Sequence, residues 1–480
     1  MKDVFLKTSI IVGVINIIFY LLTYDNHFFS DDYQHLIGLK LYNLIQGKIL
    51  SLDNLLNLYT NHFAPFYLFY HQFMPDNFIY YHGIIAIIFF LSSLVVFQIV
   101  LKLTSCNKIS FLSTLLYSTN MSIHIKPYVY NIFDFSIVNS FTGFLSIFFF
   151  ILFFQTHSSK KYLWLIAYLI FSIISCLNFE NGLIYPILTT LIAFLFLKKQ
   201  YSLKSFLGLV PLLVFFILLI SNGNNLSYLA KERLNESYNE RFAKNIDLNK
   251  NTYAYFYRSQ YAYRDLTGYS FRIFDNIISS VNLYSLENSL KYYINPEKFK
   301  NYVLSNYQKL AIILFIVFFI LIVIFFKNLN KIRISFPVAK FLLIYLATFL
   351  IYTFIFFRQD LNSALAFSSS ILISIFVIEF YRNKFFLIPT LVLFFFLGST
   401  ILYSSTGFEH VKYSGTRSFI KNVSQIHYEN AHDNIIDEKI IFIENYKFLY
   451  YYLNYDENKD YLKKFKDLKY TEFVSAMIGD

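Results

Sequence analysis

Apolar runs of roughly 17–22 residues recur along most of this 480-residue chain, and an α-helix needs about that length to cross a hydrocarbon layer. Inside such a layer the backbone must satisfy its own hydrogen bonds, which a helix does within each run. Composition agrees. Charged residues make up only 15% of the chain, against roughly 25% in ordinary soluble domains, and 56% are hydrophobic. The fold class that follows is an all-α polytopic membrane protein with about eleven transmembrane helices. The runs lie at 8–24, 82–101, 109–123, 137–154, 162–177, 183–197, 206–220, 309–326, 341–357, 363–381 and 385–403. Several are short, and the third is barely long enough to cross.

Charge then orients the runs. One set of alternate connections holds Lys2 and Lys7, Lys102 and Lys108, Lys160 and Lys161, Lys198, Lys199 and Lys204, Lys327, Lys331 and Arg333, and Arg382 and Lys384. The short loops between them hold little beyond Lys126 and Arg358. By the positive-inside rule the N-terminus is cytoplasmic and the C-terminus extracytoplasmic, in a multi-pass protein of the plasma (inner) membrane. The net charge of +11 is explained by this loop pattern, so no nucleic-acid partner is expected. The first run lacks a small-x-small cleavage pattern after it and reads as a retained span. Cys106 and Cys176 supply neither a disulfide framework nor a cysteine metal site.

That orientation divides the chain into a transmembrane domain, 1–403, and a small extracytoplasmic C-terminal region, 404–480. Within the first, residues 25–81 and 222–308 form large outer loops that carry amphipathic helices. The stretch Tyr253-Ala254-Tyr255-Phe256-Tyr257-Arg258 mixes rings and cation in the way that suits headgroup depth, or equally an ordinary solvated loop. In the tail, 417–428 reads as a helix, 439–443 as a buried strand and 450–453 as a strand or helix start, giving a small α/β appendage.

The polar residues of the outer loops carry the functional argument. Phe28-Phe29-Ser30-Asp31-Asp32-Tyr33 sets two adjacent carboxylates where the first span meets water. A membrane-edge acid is costly and marks a candidate site. Ser30 as an N-cap, with Asp31 and Asp32 complementing a helix dipole, accounts for the same residues. On the same side lie His62, Lys126, Asp134, Glu180 in Asn178-Phe179-Glu180-Asn181-Gly182, and Arg358 beside Asp360. Each alone is an ordinary loop charge; together they can meet at one mouth. Such a set suits a base that deprotonates a hydroxyl and cations that stabilise a phosphate leaving group. A lipid-phosphate sugar, its tail in the bilayer, makes both demands at this depth.

Asp31-Asp32-Tyr33 after the first span resembles the acidic motif of the C-type integral-membrane glycosyltransferases (the GT-C fold), a superfamily that includes protein O-mannosyltransferases and aminoarabinose transferases. Asn61-His62-Phe63-Ala64-Pro65 is similar to their His-x-x-Pro element, and Glu180-Asn181-Gly182-Leu183-Ile184-Tyr185-Pro186 to a Lys-Glu-Asn-x-x-x-x-Pro segment. The sequence departs from that pattern at Phe179, where Lys is usual, and at Asp32, where Glu is usual. The resemblance implies an inverting transfer from a polyprenyl-phosphate sugar donor to an extracytoplasmic acceptor (lipid, glycan or protein). Asp31 would be the general base, with Asp32 positioning it or holding a divalent metal ion, Mg or Mn. Arg358 and Lys126 would face the phosphate, and His62, Asp134 and Glu180 would orient sugar or acceptor.

Three other readings stand beside this one. A lipid-linked glycan flippase or transporter predicts polar breaks at the midplane of the spans, where few occur. A glycan polymerase or ligase would use Arg258, Arg264 and Arg272 of the large outer loop. A membrane scaffold would have no site.

Overall fold

The computed structural model describes residues 2–23, 78–120, 135–178, 180–196, 202–221, 336–356, 363–380 and 387–413, with isolated residues between 273 and 282 and between 313 and 323. These residues are helical almost throughout, and no strand occurs among them. The helices are α1 (Lys2–Thr23), α2 (Phe78–Thr104), α3 (Asn107–Ser118), α4 (Phe135–Gln155), α5 (Lys161–Asn178), α6 (Ile184–Phe196), α7 (Val210–Ser221), α8 (Phe336–Leu350), α9 (Ser363–Phe380) and α10 (Leu387–Tyr413). A 3₁₀ turn, Glu180–Leu183, leads into α6, and α8 continues as a π-helical turn, Ile351–Phe356. Pro186, Pro337 and Pro389 sit in the first turns of α6, α8 and α10, where a missing N–H breaks no hydrogen bond of the helix.

Three stretches among the described residues are long and apolar enough to cross a membrane: Asp3–Leu21, His82–Thr104 and Val138–Gln155. Shorter apolar helices follow six of the eight remaining predicted runs; the 109–123 run coincides with α3, and the 309–326 run, like the predicted appendage beyond Tyr413, lies largely or wholly outside the described residues. With 12 residues, α3 is only about 18 Å long, well short of a hydrocarbon layer of about 30 Å.

The packing is inverted relative to a water-soluble bundle. Leu6, Ile10, Val14, Ile17 and Leu21 stand exposed along α1, as do Leu163, Ile166 and Ile170 along α5. Ser92, Ser93, Ser113, Thr114, Asn120 and Ser146 are meanwhile buried. Apolar surface turned outward over helices of this length is what a lipid solvent selects. Many buried hydroxyls are satisfied within their own helix. Thr8 Oγ1 donates to the Val4 carbonyl at 2.7 Å, Thr114 to Ser110 at 2.7 Å and Ser370 to Ala366 at 2.6 Å. Membrane association follows from these features together.

The core is an aromatic chain across α2, α3, α4, α6 and α9. Phe89 stacks on Tyr117 at 6.0 Å, Tyr117 meets Phe144 edge-on at 5.5 Å, and Phe144 meets Tyr185 at 5.4 Å and Phe367 at 5.1 Å. These contacts bring the C-terminal half of α3 beside the N-terminal halves of α2, α4, α6 and α9. Chain direction therefore alternates, and the bundle has two distinct ends. Lys7 and Lys108 line one groove at the first end, and Lys340 lies 5.0 Å over the Phe196 ring. Lys102, Lys160, Lys161 and Lys204 belong to the same end by chain order. The opposite end is built from buried neutral polar groups.

Candidate functional site

The neutral polar end is where α2, α4, α6 and α9 begin and where α3 and α5 finish. Its first node holds the 3₁₀ turn. The Asn139 amide lies 2.7 Å from both the carbonyl and the hydroxyl of Ser175, and 2.9 Å from the Gly182 nitrogen. With Nδ2 toward Ser175 and Oδ1 toward Gly182, the amide satisfies all three groups. Ser175 Oγ in turn donates to the Asn139 carbonyl at 3.2 Å. A Cβ on Gly182 would overlap the Ser175 carbonyl, so only glycine fits this close approach.

A second node joins three helix starts. Tyr185 Oη and Ser363 Oγ share a hydrogen bond at 3.0 Å, and Ser363 Oγ also meets Ser140 Oγ. Gly143 lets the Tyr185 ring lie against α4, since a Cβ there would overlap the ring. Tyr352, in the π-helical turn, is buried with its hydroxyl toward the backbone of Ala364 at the start of α9. The Tyr117 hydroxyl is fully buried among these groups. It lies beside Ser92 Oγ of α2, itself buried.

Residues from the stretch 222–308 complete this end. Asn282, at φ 61°, donates from Nδ2 to the Phe396 carbonyl at 2.8 Å and to Thr400 Oγ1 at 3.2 Å. Thr400 Oγ1 donates to the Thr119 carbonyl at 2.6 Å. Asn276 Nδ2 donates to Thr353 Oγ1 at 2.9 Å, and Tyr345 Oη to Ser280 Oγ at 3.1 Å. Asn276 and Ser280 are buried, whereas their near neighbours Ile273 and Ile277 are exposed. The stretch thus follows the inverted pattern of the bundle.

Of the residues singled out from the sequence, Asp31, Asp32, His62, Lys126, Asp134 and Arg358 lie outside the described residues. Glu180 is described in its backbone alone, as the first residue of the clamped 3₁₀ turn. Among the described residues no three His, Cys, Asp or Glu side chains come together, and the two aspartates assigned to a divalent ion are not among them.

Asn139, Ser140, Ser175, Ser363 and Asn282 are structural findings that sequence reasoning did not single out. Their signal was faint but present. Four of them are polar residues within about two turns of the same ends of apolar runs. What the described arrangement does chemically is limited and definite. Neutral donors and acceptors, buried in an apolar medium, hold several helix ends in one fixed relation. No protein-family model, curated protein or solved structure matches the chain.

Proposed function

We propose that this chain is an inverting membrane glycosyltransferase that transfers a sugar from a polyprenyl-phosphate donor to an extracytoplasmic lipid, glycan or protein. In this reading about eleven spans cross the plasma (inner) membrane, the lysine end faces the cytoplasm, and residues 404–480 form a small α/β appendage outside. The observation that carries the reading is the gathering of helix ends around one buried polar layer. The chain segments that hold the candidate residues begin and finish at those ends. Residues 121–134, with Lys126 and Asp134, join α3 to α4; residues 357–362, with Arg358, join the π-helical turn to α9. Residues 24–77, with Asp31, Asp32 and His62, join α1 to α2, and a Cβ on Gly83 of α2 would rest 4.0 Å from the Tyr20 ring of α1. Covalent reach alone keeps the Cα of Asp134 within about 4 Å of the start of α4, and that of Arg358 within about 7 Å of Phe356.

The chemistry follows from the groups. The Asp31 carboxylate takes the proton of an acceptor hydroxyl as its oxygen attacks the anomeric carbon from the face opposite the phosphate. The sugar–phosphate bond breaks with its electron pair on the phosphate. That charge is met by Arg358 and Lys126, so no general acid is required. Asp32 positions Asp31 or holds a divalent ion, which would add positive charge at the phosphate. His62, Asp134 and Glu180 orient sugar and acceptor.

The test uses the purified full chain with a short-chain polyprenyl-phosphate sugar and a cell-envelope acceptor extract. Asp31→Asn removes the proton acceptor at nearly constant volume and should lower turnover by about 10²–10⁴ with unchanged folding. A folded Asp31→Asn protein with undiminished transfer removes Asp31 from the mechanism. A wild-type protein that leaves the donor intact but moves it across liposomes is a transporter.

A further inference from the structure

The lysine end carries a groove that the proposed chemistry at the opposite end does not use. It lies between α1 and α3, is lined by Val4, Lys7, Ile10, Ile11, Asn107, Lys108 and Phe111, and has a volume of about 380 Å³. That is within the range of roughly 300–1,000 Å³ typical of small-molecule sites. Its residues are ordered by depth. Val4, Lys7, Asn107 and Lys108 come from the first two turns of their helices, whereas Phe111, Ile10 and Ile11 lie about one turn further in. Ile10 and Ile11 stand exposed beside it, 58% and 39%, on the outward face of α1.

We propose that this groove is a binding site for one anionic phospholipid of the leaflet at the lysine end. The phosphate lies between Lys7 and Lys108, and the upper part of one acyl chain lies against Ile10, Ile11 and Phe111. The groove wall is apolar and is lined in part by the stems of two lysines, Lys7 and Lys108, which matches a lipid that is apolar below and anionic above, and paired basic residues at a membrane surface select anionic headgroups. Long lysine stems suit this depth, since they cover apolar surface while the ammonium reaches outward. Asp3 opposes Lys7: its carboxylate pairs with Lys7 at 3.2 Å, with both side chains largely exposed. An exposed pair of this kind is weak and exchanges readily for a phosphate partner. Asp3 therefore limits the affinity of the groove rather than closing it.

The experiment is native mass spectrometry of the purified full chain in detergent with added dioleoylphosphatidylglycerol or dioleoylphosphatidylcholine. The wild type should retain one phosphatidylglycerol at activation energies that strip phosphatidylcholine. The double variant Lys7→Gln/Lys108→Gln should lose that preference, with phosphatidylglycerol binding at least about tenfold weaker. Asp3→Asn should strengthen it, and Lys160→Gln, a lysine of the same end on another turn, should leave it unchanged. Glycerol 3-phosphate in excess should not displace the lipid, because the headgroup without the chain makes only half of the contacts. Equal retention of the two lipids by the wild type overturns the proposal, as does a folded Lys7→Gln/Lys108→Gln protein that binds like wild type. If the double variant does not fold, Asp3→Asn decides the matter: unchanged or weaker phosphatidylglycerol retention overturns the site.

Discussion

Gly182 faces the backbone carbonyl of Ser175 so closely that a Cβ on residue 182 would overlap it. The obstruction is backbone on a neighbouring helix, not the end of a flexible side chain, so relief requires the 3₁₀ turn to move. Gly182→Ala should therefore cost about 3 kcal/mol, the upper end of what overpacking costs. Gly13→Ala is the contrast, because a Cβ there would rest 3.6 Å from the Phe90 ring in ordinary contact. It should be neutral or stabilising by up to about 1 kcal/mol, since Ala is the better helix former. Thermal melting in detergent, followed by size-exclusion chromatography, separates the two. Equal melting of both variants would show that the Ser175 contact does not constrain the turn.

The hydrogen bond between Tyr185 and Ser363 ties the start of α6 to the start of α9. Tyr185→Phe should cost about 0.6–1 kcal/mol, the usual worth of such a bond within a membrane bundle. Ser363→Ala should cost somewhat more, because it also removes the contact with Ser140 Oγ. The double variant should fall short of the sum of the two, the sign of direct coupling. Strict additivity in a double-mutant cycle would mean that the two hydroxyls do not act on each other.

Cys106 is half-buried at the lysine end, and Cys176 is buried within α5. If the lysine end is cytoplasmic, Cys106 should resist an impermeant maleimide in intact cells and react with a permeant one. Cys176 should react with neither until the protein is unfolded. Labelling of Cys106 by the impermeant reagent would reverse the orientation, and with it the extracytoplasmic mouth.

Burial within 222–308 gives a position-specific outcome. Asn282→Cys lies among α3 and α10 with no exposure and should label slowly with any polar thiol reagent. Ile277→Cys is 46% exposed on the apolar outward face. It should react with a lipid-soluble maleimide faster than with a charged one. The reverse preference would return this stretch to water.

Arg358 and Lys126 are assigned to the same phosphate, yet they differ in what they can offer it. Arg358→Gln should lower donor-dependent turnover by about 10²-fold or more. Arg358→Lys should recover only part, because a point charge does not replace a planar fork. Transfer at the normal rate by Arg358→Gln would move the phosphate site elsewhere.

The sequence alone determined that helices form and in what order, because a run of apolar residues near membrane thickness admits no other way to satisfy its backbone. The starts of α4, α6 and α9 fell within a few residues of the predicted edges, helped by Pro186 and by the polar residues that flank each run. It also drew attention to Glu180-Asn181-Gly182 before its clamp was known. Tertiary structure decided which of many serines and asparagines mattered. Thr114 and Ser370 spend their hydroxyls on their own helices, whereas Ser140, Ser175 and Ser363 reach across to others, and nothing in local sequence separates the two groups. The same holds for Asn276 and Asn282, which lie in a polar stretch that reads as a loop. Their burial depends on helix residues more than sixty positions away in sequence, at Thr353, Phe396 and Thr119. Hydrophobic periodicity reports how a segment meets its solvent; it carries no record of which distant polar atom completes a buried hydrogen bond.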